Sequence, residues 1–385
     1  MKVLTCLTAL LAIQAFCAGQ SVVIDLRPGP AQPAEPVARP DPTPARTVQL
    51  ALLLDTSNSM DGLIDQARSH LWNVVRELSR ADGRYGRVDL QVALFEYGND
   101  SLPAREGYIR LVQPFTRDLD LLSEKLFSLR TNGGSEFCGA VIDRAVRTLD
   151  WSREAGVYRT IFIAGNEPFT QGDVDYREAC AAARSAGIRV NTIHCGHADE
   201  GIRGKWQDGA ELGRGKFLNI DQNHVRIHID TPYDKPILEL NIRLNSTYVP
   251  FGAGGGEGRQ RQLVQDKNAE SAGLAGAALS RATAKAGASY DNRAWDLVDA
   301  ARADPNVLKE TRAEDLPSDL AGMTPEQRTA RIAELTAERE SIQKQIAELA
   351  RQREAFLAKA RTERQGEPAT LDVAMLEAIS GQMQP

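Results

Sequence analysis

The run Val48-Gln49-Leu50-Ala51-Leu52-Leu53-Leu54 is almost unbroken in apolar side chains and stops at Asp55. A strand with one wet face alternates apolar and polar residues, so an unalternating run fits a strand buried on both faces, as in a parallel sheet covered by helices. After it, Leu63, Ala67, Leu71, Val74, Val75 and Leu78 recur at spacings of three and four, which predicts an amphipathic helix. Residues 88–96 read as a strand with 108–115 as an antiparallel neighbour, and a helix is expected over 118–129. Helices over 137–151, 176–186, 201–212 and 235–245 then alternate with strands over 160–164, 188–195 and 216–220. This alternation predicts an α/β fold with a doubly wound, mainly parallel sheet, whose ligands sit beyond the carboxyl ends of the strands at a topological switch point.

The flanks differ from this core. Residues 1–19 carry Lys2, then an apolar stretch to Cys17, then the small residues Ala18 and Gly19, which reads as a signal peptide and a secreted or periplasmic protein. The stretch is shorter than a membrane span, and no other apolar run is long enough to span a bilayer. Seven prolines between Pro28 and Pro44 make 20–46 a Pro-rich linker. Phe251 is followed by five glycines in seven residues, so 251–262 reads as a Gly-rich linker between a domain at 47–250 and a C-terminal α-helical region at 263–385. Within that region Thr324-Pro325-Glu326-Gln327 is a helix start with a capping box, opening a coiled-coil-like helix over 324–361. Its heptad frame places Leu335, Ile342, Leu349 and Phe356 at one core position and Ile332, Arg339, Ile346, Arg353 and Ala360 at the other. That seam either packs back on the segment around Trp295–Val298 or forms a homodimer. Past the first 19 residues the cysteines are Cys138, Cys180 and Cys195, of which one pair could close in an oxidising compartment. A formal net charge of −6 argues against a nucleic-acid binder.

The chemistry lies where the first strand ends. Asp55-Thr56-Ser57-Asn58-Ser59-Met60 puts one carboxylate and two hydroxyls in a single loop, oxygen donors suited to a hard divalent cation. Asp55, Ser57 and Ser59 in this placement resemble the first element of the metal-ion-dependent adhesion site of von Willebrand factor type A domains. The resemblance spans about 47–250 and includes Asn132-Gly133-Gly134-Ser135-Glu136, where Ser135 stands at the position of the family's hydroxyl ligand and Glu136 adds a carboxylate. The third element departs: Gly165 stands where the family has Asp, leaving Asn166 or Glu167 to offer an oxygen. The resemblance implies Mg²⁺ (or Ca²⁺ or Mn²⁺) on Asp55, Ser57, Ser59, Ser135, Glu136 and Asn166, with a protein partner's Asp or Glu completing the shell. It also implies binding rather than catalysis, on a surface made by Asn58, Met60, Glu136, Asn166 and Phe169. His194 and His197 end a predicted strand, but their spacing favours rim histidines over a metal pair. The alternative is a structural or assembly protein that acts through its C-terminal helices.

Overall fold

The computed structural model describes residues 46–79, 88–221, 229–271, 276–361 and 370–383. Its strands are β1 (Arg46–Asp55), β2 (Val88–Tyr97), β3 (Ile109–Thr116), β4 (Tyr158–Gly165), β5 (Arg189–Cys195) and β6 (Arg214–Ile220). They form one sheet in the order β3-β2-β1-β4-β5-β6, parallel throughout except for β3, which runs antiparallel to β2 at the edge. The apolar run is thus the central strand β1, flanked on both sides. The chain leaves β1 towards β2 and later returns to β4 on its other side, so the switch point lies beyond the carboxyl ends of β1 and β4.

The helices are α1 (Asp61–Ser79), α2 (Leu119–Ser128), α3 (Cys138–Thr148), α4 (Tyr176–Ser185), α5 (Ala198–Arg203), α6 (Trp206–Leu212) and α7 (Asp234–Asn245). There follow α8 (Gly255–Ser271), α9 (Ala277–Lys285), α10 (Leu297–Ala303), α11 (Val307–Glu310), α12 (Ser318–Ala321), α13 (Pro325–Arg361) and α14 (Leu371–Gln382). The period of two in a strand divides β1 between two cores. Ala51 and Leu53 face α3, α4 and Trp206, whereas Val48, Leu50, Leu52 and Leu54 face a second core with α1 and α2. That second core also takes in Leu279, Trp295, Ile342, Ile346, Leu371, Met375 and Ile379 from the C-terminal helices. One of the sheet's two covering layers is therefore completed by residues far beyond 250, and Thr43–Pro385 forms one compact unit.

This corrects the division expected at 251–262. That segment enters α8, and its glycines serve close packing: a Cβ on Gly258 would lie 2.3 Å from the Trp295 ring, and Gly255 is buried against Pro250. Buried ion pairs cross the same boundary. Arg281 of α9 bonds Asp120 of α2 at 2.5 Å and Asp266 of α8 at 2.6 Å, with its guanidinium 4.5 Å above the Trp72 ring of α1. Lys285 reaches Asp266 at 2.9 Å.

The heptad seam of α13 is buried within the chain, at Ile332, Leu335, Arg339, Ile342 and Ile346. Arg339 explains its own place at a core position. Its Nη1 bonds Asp296 at 2.6 Å and Asp299 at 2.7 Å, its Nη2 donates to the Thr247 carbonyl at 2.6 Å, and its guanidinium lies 4.0 Å from the Tyr248 ring centroid. The N-terminal part of the seam thus serves an intramolecular contact with the segment around Trp295, while Phe356 at its far end is exposed. Cys138, Cys180 and Cys195 are all buried free thiols, not a disulfide with one left over. Among the described residues no helix is long and apolar enough to cross a membrane. The signal peptide at 1–19 and the Pro-rich segment up to residue 45 lie outside the described residues.

Candidate metal centre

Asp55 is the last residue of β1, and its carboxyl is fully buried. One oxygen, Oδ1, accepts the Ser57 backbone N–H at 2.8 Å, closing the tight loop that side-chain carboxylates favour. The other, Oδ2, is buried with no hydrogen-bond partner. Ser57 is buried, and its Oγ lies 3.2 Å from Ser59 Oγ, which in turn accepts from Asn166 Nδ2 at 3.2 Å. The first loop thus meets the loop after β4, and α1 starts directly behind it at Asp61.

The second loop is laced to the first by the backbone. Asn132 N–H donates to the Thr56 carbonyl at 3.0 Å, and Asn99 Nδ2 donates to the Arg130 carbonyl at 2.8 Å and to the Thr56 carbonyl at 3.4 Å. This brings Ser135 and Glu136 to the end of β1. Ser135 is half-buried, and its hydroxyl makes no hydrogen bond among the described residues. Glu136 is buried, its backbone N–H donates to Gln171 Oε1 at 3.2 Å, and Gln171 Nε2 donates to Glu167 Oε2 at 3.2 Å.

The electrostatics follow from this crowding. Burial pushes the Asp55 carboxyl up to about 7; hydrogen bonds from the Ser57 backbone and side chain oppose the shift, while Glu136 and Glu167 add to it. Burial also pushes Glu136 up to about 7, with Glu167 and Asp100 adding repulsion and the Ser57 side chain partly offsetting it. Glu167 thus acts on both Asp55 and Glu136, and the mutual repulsion of these acids at the strand end would be relieved by a cation. Among the described residues no three His, Cys, Asp or Glu side chains gather to hold a metal, so a centre here must combine carboxyls with hydroxyls. An unpartnered buried carboxylate oxygen beside two serine hydroxyls is what a hard divalent cation would satisfy, and the donor set fits one.

Residues 49–202 match the family model of the von Willebrand factor type A domain. This stretch of the chain is a von Willebrand factor type A domain. Domains of this family commonly hold a divalent metal and mediate protein–protein interaction. No curated protein matches the chain. Among solved structures, it is similar to a conserved hypothetical protein, BatB, from Bacteroides thetaiotaomicron, with 21% identity over 45% of this chain and 90% of that one and a TM-score of 0.35. It is also similar to a von Willebrand factor type A protein from Catenulispora acidiphila, with 16% identity over 46% and 39% of the two chains and a TM-score of 0.35. A third is proximal thread matrix protein 1 of the mussel byssus, with its adhesion motif occupied by zinc, at 13% identity over 46% and 42% and a TM-score of 0.34.

Within the type A domain, several expectations for the rim are revised. Met60 and Phe169 are both fully buried, Met60 in the core beneath α1 and Phe169 between Tyr176 and Trp206, so neither joins a binding surface. Asn58 is exposed and Asn166 half-buried at the rim. His194 is buried beside Trp206 with Nδ1 3.1 Å from Asn219 Oδ1, while His197 is exposed and precedes α5, so the two do not form a pair. Tyr97, the last residue of β2, with Gly98 and Asn99 after it, shapes the site, and none of the three was singled out by the sequence. Their signal was an aromatic-Gly-Asn triplet at the end of a buried strand, the neighbour of Asp55.

Proposed function

We propose that this chain is a binding module whose type A domain holds a divalent cation and uses it to capture an acidic side chain of a protein partner. The supporting observation is the Asp55 Oδ2 atom, buried and without a hydrogen-bond partner at the switch point of the sheet. A buried carboxylate oxygen without a partner is costly, and a bound cation would remove that cost. In this reading Asp55, Ser57, Ser59, Ser135, Glu136 and Asn166 hold the ion, Mg²⁺ or else Mn²⁺ or Ca²⁺. When bound, the ion supplies a coordination position for a partner's Asp or Glu. Asn58 and Asn166 edge the contact, and Ser57 carries the bonds that order the loop. The proposal assigns binding rather than turnover, and the apolar segment 1–19 supports a place outside the cytoplasm.

The test is thermal melting of the full chain with chelator or with millimolar Mg²⁺, Mn²⁺ or Ca²⁺. Ligand in roughly hundredfold excess over its dissociation constant adds about 2.7 kcal/mol of stability, a rise of a few degrees in a chain of this size. The rise should vanish in Asp55→Ala. No rise with any of the three ions would overturn the reading.

A further inference from the structure

The two ends of the sheet carry opposite charge, and the end far from the metal centre presents an unpaired acid of its own. We propose that the partner captured by the metal centre is a second copy of this chain, whose Glu154 supplies the completing acid, so that copies join head to tail. The inference rests on the metal-binding reading above and names the partner of that site.

Glu154 lies in the loop that enters β4, whose other end, Gly165, leads into the rim residue Asn166. The eight residues of β4 hold these ends roughly 23 Å apart, so Glu154 does not reach the Asp55 of its own chain. The loop has an exposed tip, Arg153-Glu154-Ala155-Gly156. Its backbone is set by the Glu154 N–H, which donates to Ser152 Oγ at 3.2 Å, and by Gly156 with a φ of +84°. A Cβ at Gly156 would meet nothing within 4 Å, so the space beside the tip is open. The Glu154 carboxylate makes no hydrogen bond or ion pair among the described residues.

Cations that also lack acids surround this loop. Arg159 donates to the Ser152 carbonyl, and a Cβ at Gly187 would lie 3.2 Å from its Nη2, so its guanidinium spans from the loop to the turn before β5. Arg184 stands in the last turn of α4, just before that turn, and Arg189 opens β5 with Nη1 on the Arg214 carbonyl at 3.1 Å. Arg153, Arg159, Arg184, Arg189 and Arg214 make no ion pair among the described residues.

The metal rim has the complementary sign. Asp61 and Asp100 are exposed there, and Glu167 is half-buried. Asp100 borders the first loop: a Cβ on Gly133 would lie 3.4 Å from its Oδ2 and 3.6 Å from Asn58 Nδ2. Rim against rim sets acids against acids, and tip against tip sets arginines against arginines. Tip against rim brings arginines to acids and delivers Glu154 between them. Such a contact joins two different surfaces, so it repeats from copy to copy into a ring or a filament.

The experiment is sedimentation velocity of the full chain in millimolar Mn²⁺ and in chelator, with melting of each protein in the same buffers. Wild type should sediment as dimer or longer species in Mn²⁺ and as monomer in chelator. Glu154→Gln and Asp55→Asn should each stay monomeric in Mn²⁺. An equal mixture of the two should form a dimer and nothing larger, because the first keeps the metal centre, the second keeps the acid, and a single junction forms. If Mn²⁺ raises the melting temperature of wild type yet leaves it monomeric, or if Glu154→Gln assembles as wild type does, the proposal fails and the metal reading stands. If Mn²⁺ leaves the melting of wild type unchanged, the metal reading fails and takes the proposal with it.

Discussion

Without metal, the type A domain should lose stability as pH rises, in the direction opposite to an ordinary salt-bridged carboxylate. Asp55 titrates near 3.8 in an unfolded chain and at about 7 when buried at the end of β1. Below the lower value both states are protonated and nothing is lost. Between the two values the folded state keeps a proton that the unfolded state releases, so stability falls by about 1.4 kcal/mol per pH unit. Three units give about 4 kcal/mol as an upper bound for this one group, a large share of the 5–15 kcal/mol typical of a folded domain. Glu136 shifts in the same direction and adds to the slope. The assay is guanidinium denaturation in chelator from pH 5 to 8, for wild type and Asp55→Asn. The difference between the two profiles isolates Asp55: wild type should weaken relative to the variant as pH rises, and saturating Mg²⁺ should restore wild type at pH 8. Parallel profiles in chelator would refute the claim that Asp55 is a buried carboxyl without compensation.

Other perturbations follow from the packing. Gly165→Ala should destabilise by about 1–3 kcal/mol, because its methyl group meets the fully buried Tyr97 hydroxyl; unchanged denaturation would contradict that clash. Arg339→Ala leaves Asp296 buried without its partner and should lose about 3–5 kcal/mol in urea unfolding. A chain ended at residue 250 uncovers Leu50, Leu52 and Leu54 and strands Asp120, so it should bind a hydrophobic dye and show no cooperative melt; a sharp transition would show that the C-terminal helices are dispensable.

The fold was legible where one residue type dominates a local period. The β1 run lies at the centre of the sheet, and the expected antiparallel neighbour of β2 is β3. The capping box at Thr324 forms as expected, Gln327 N–H donating to Thr324 Oγ1 at 3.3 Å and Thr324 N–H to Gln327 Oε1 at 2.9 Å. Where meaning depended on a distant partner, the sequence was silent or misleading. The glycines at the start of α8 read as a linker because nothing nearby announces Trp295 against Gly258. A charged Arg339 at a heptad core position has no local explanation, because Asp296 is 43 residues away. The helix expected over 201–212 divides into α5 and α6 at Gly204 and Lys205, the latter with φ of 72°. At the site, Asp55, Ser57 and Ser59 share one loop and could be read together. The reason for Gly165 could not, since it lies in the Tyr97 ring on a different strand.

The most direct test of the central claim is an anomalous difference map from crystals of the full chain grown with Mn²⁺. The account predicts one peak within coordination reach of the Asp55 carboxyl and the Ser57 and Ser59 hydroxyls, with Glu136 in the same shell. A well-ordered site with no peak there, or manganese bound elsewhere while Asp55 Oδ2 stays unpartnered, would contradict it.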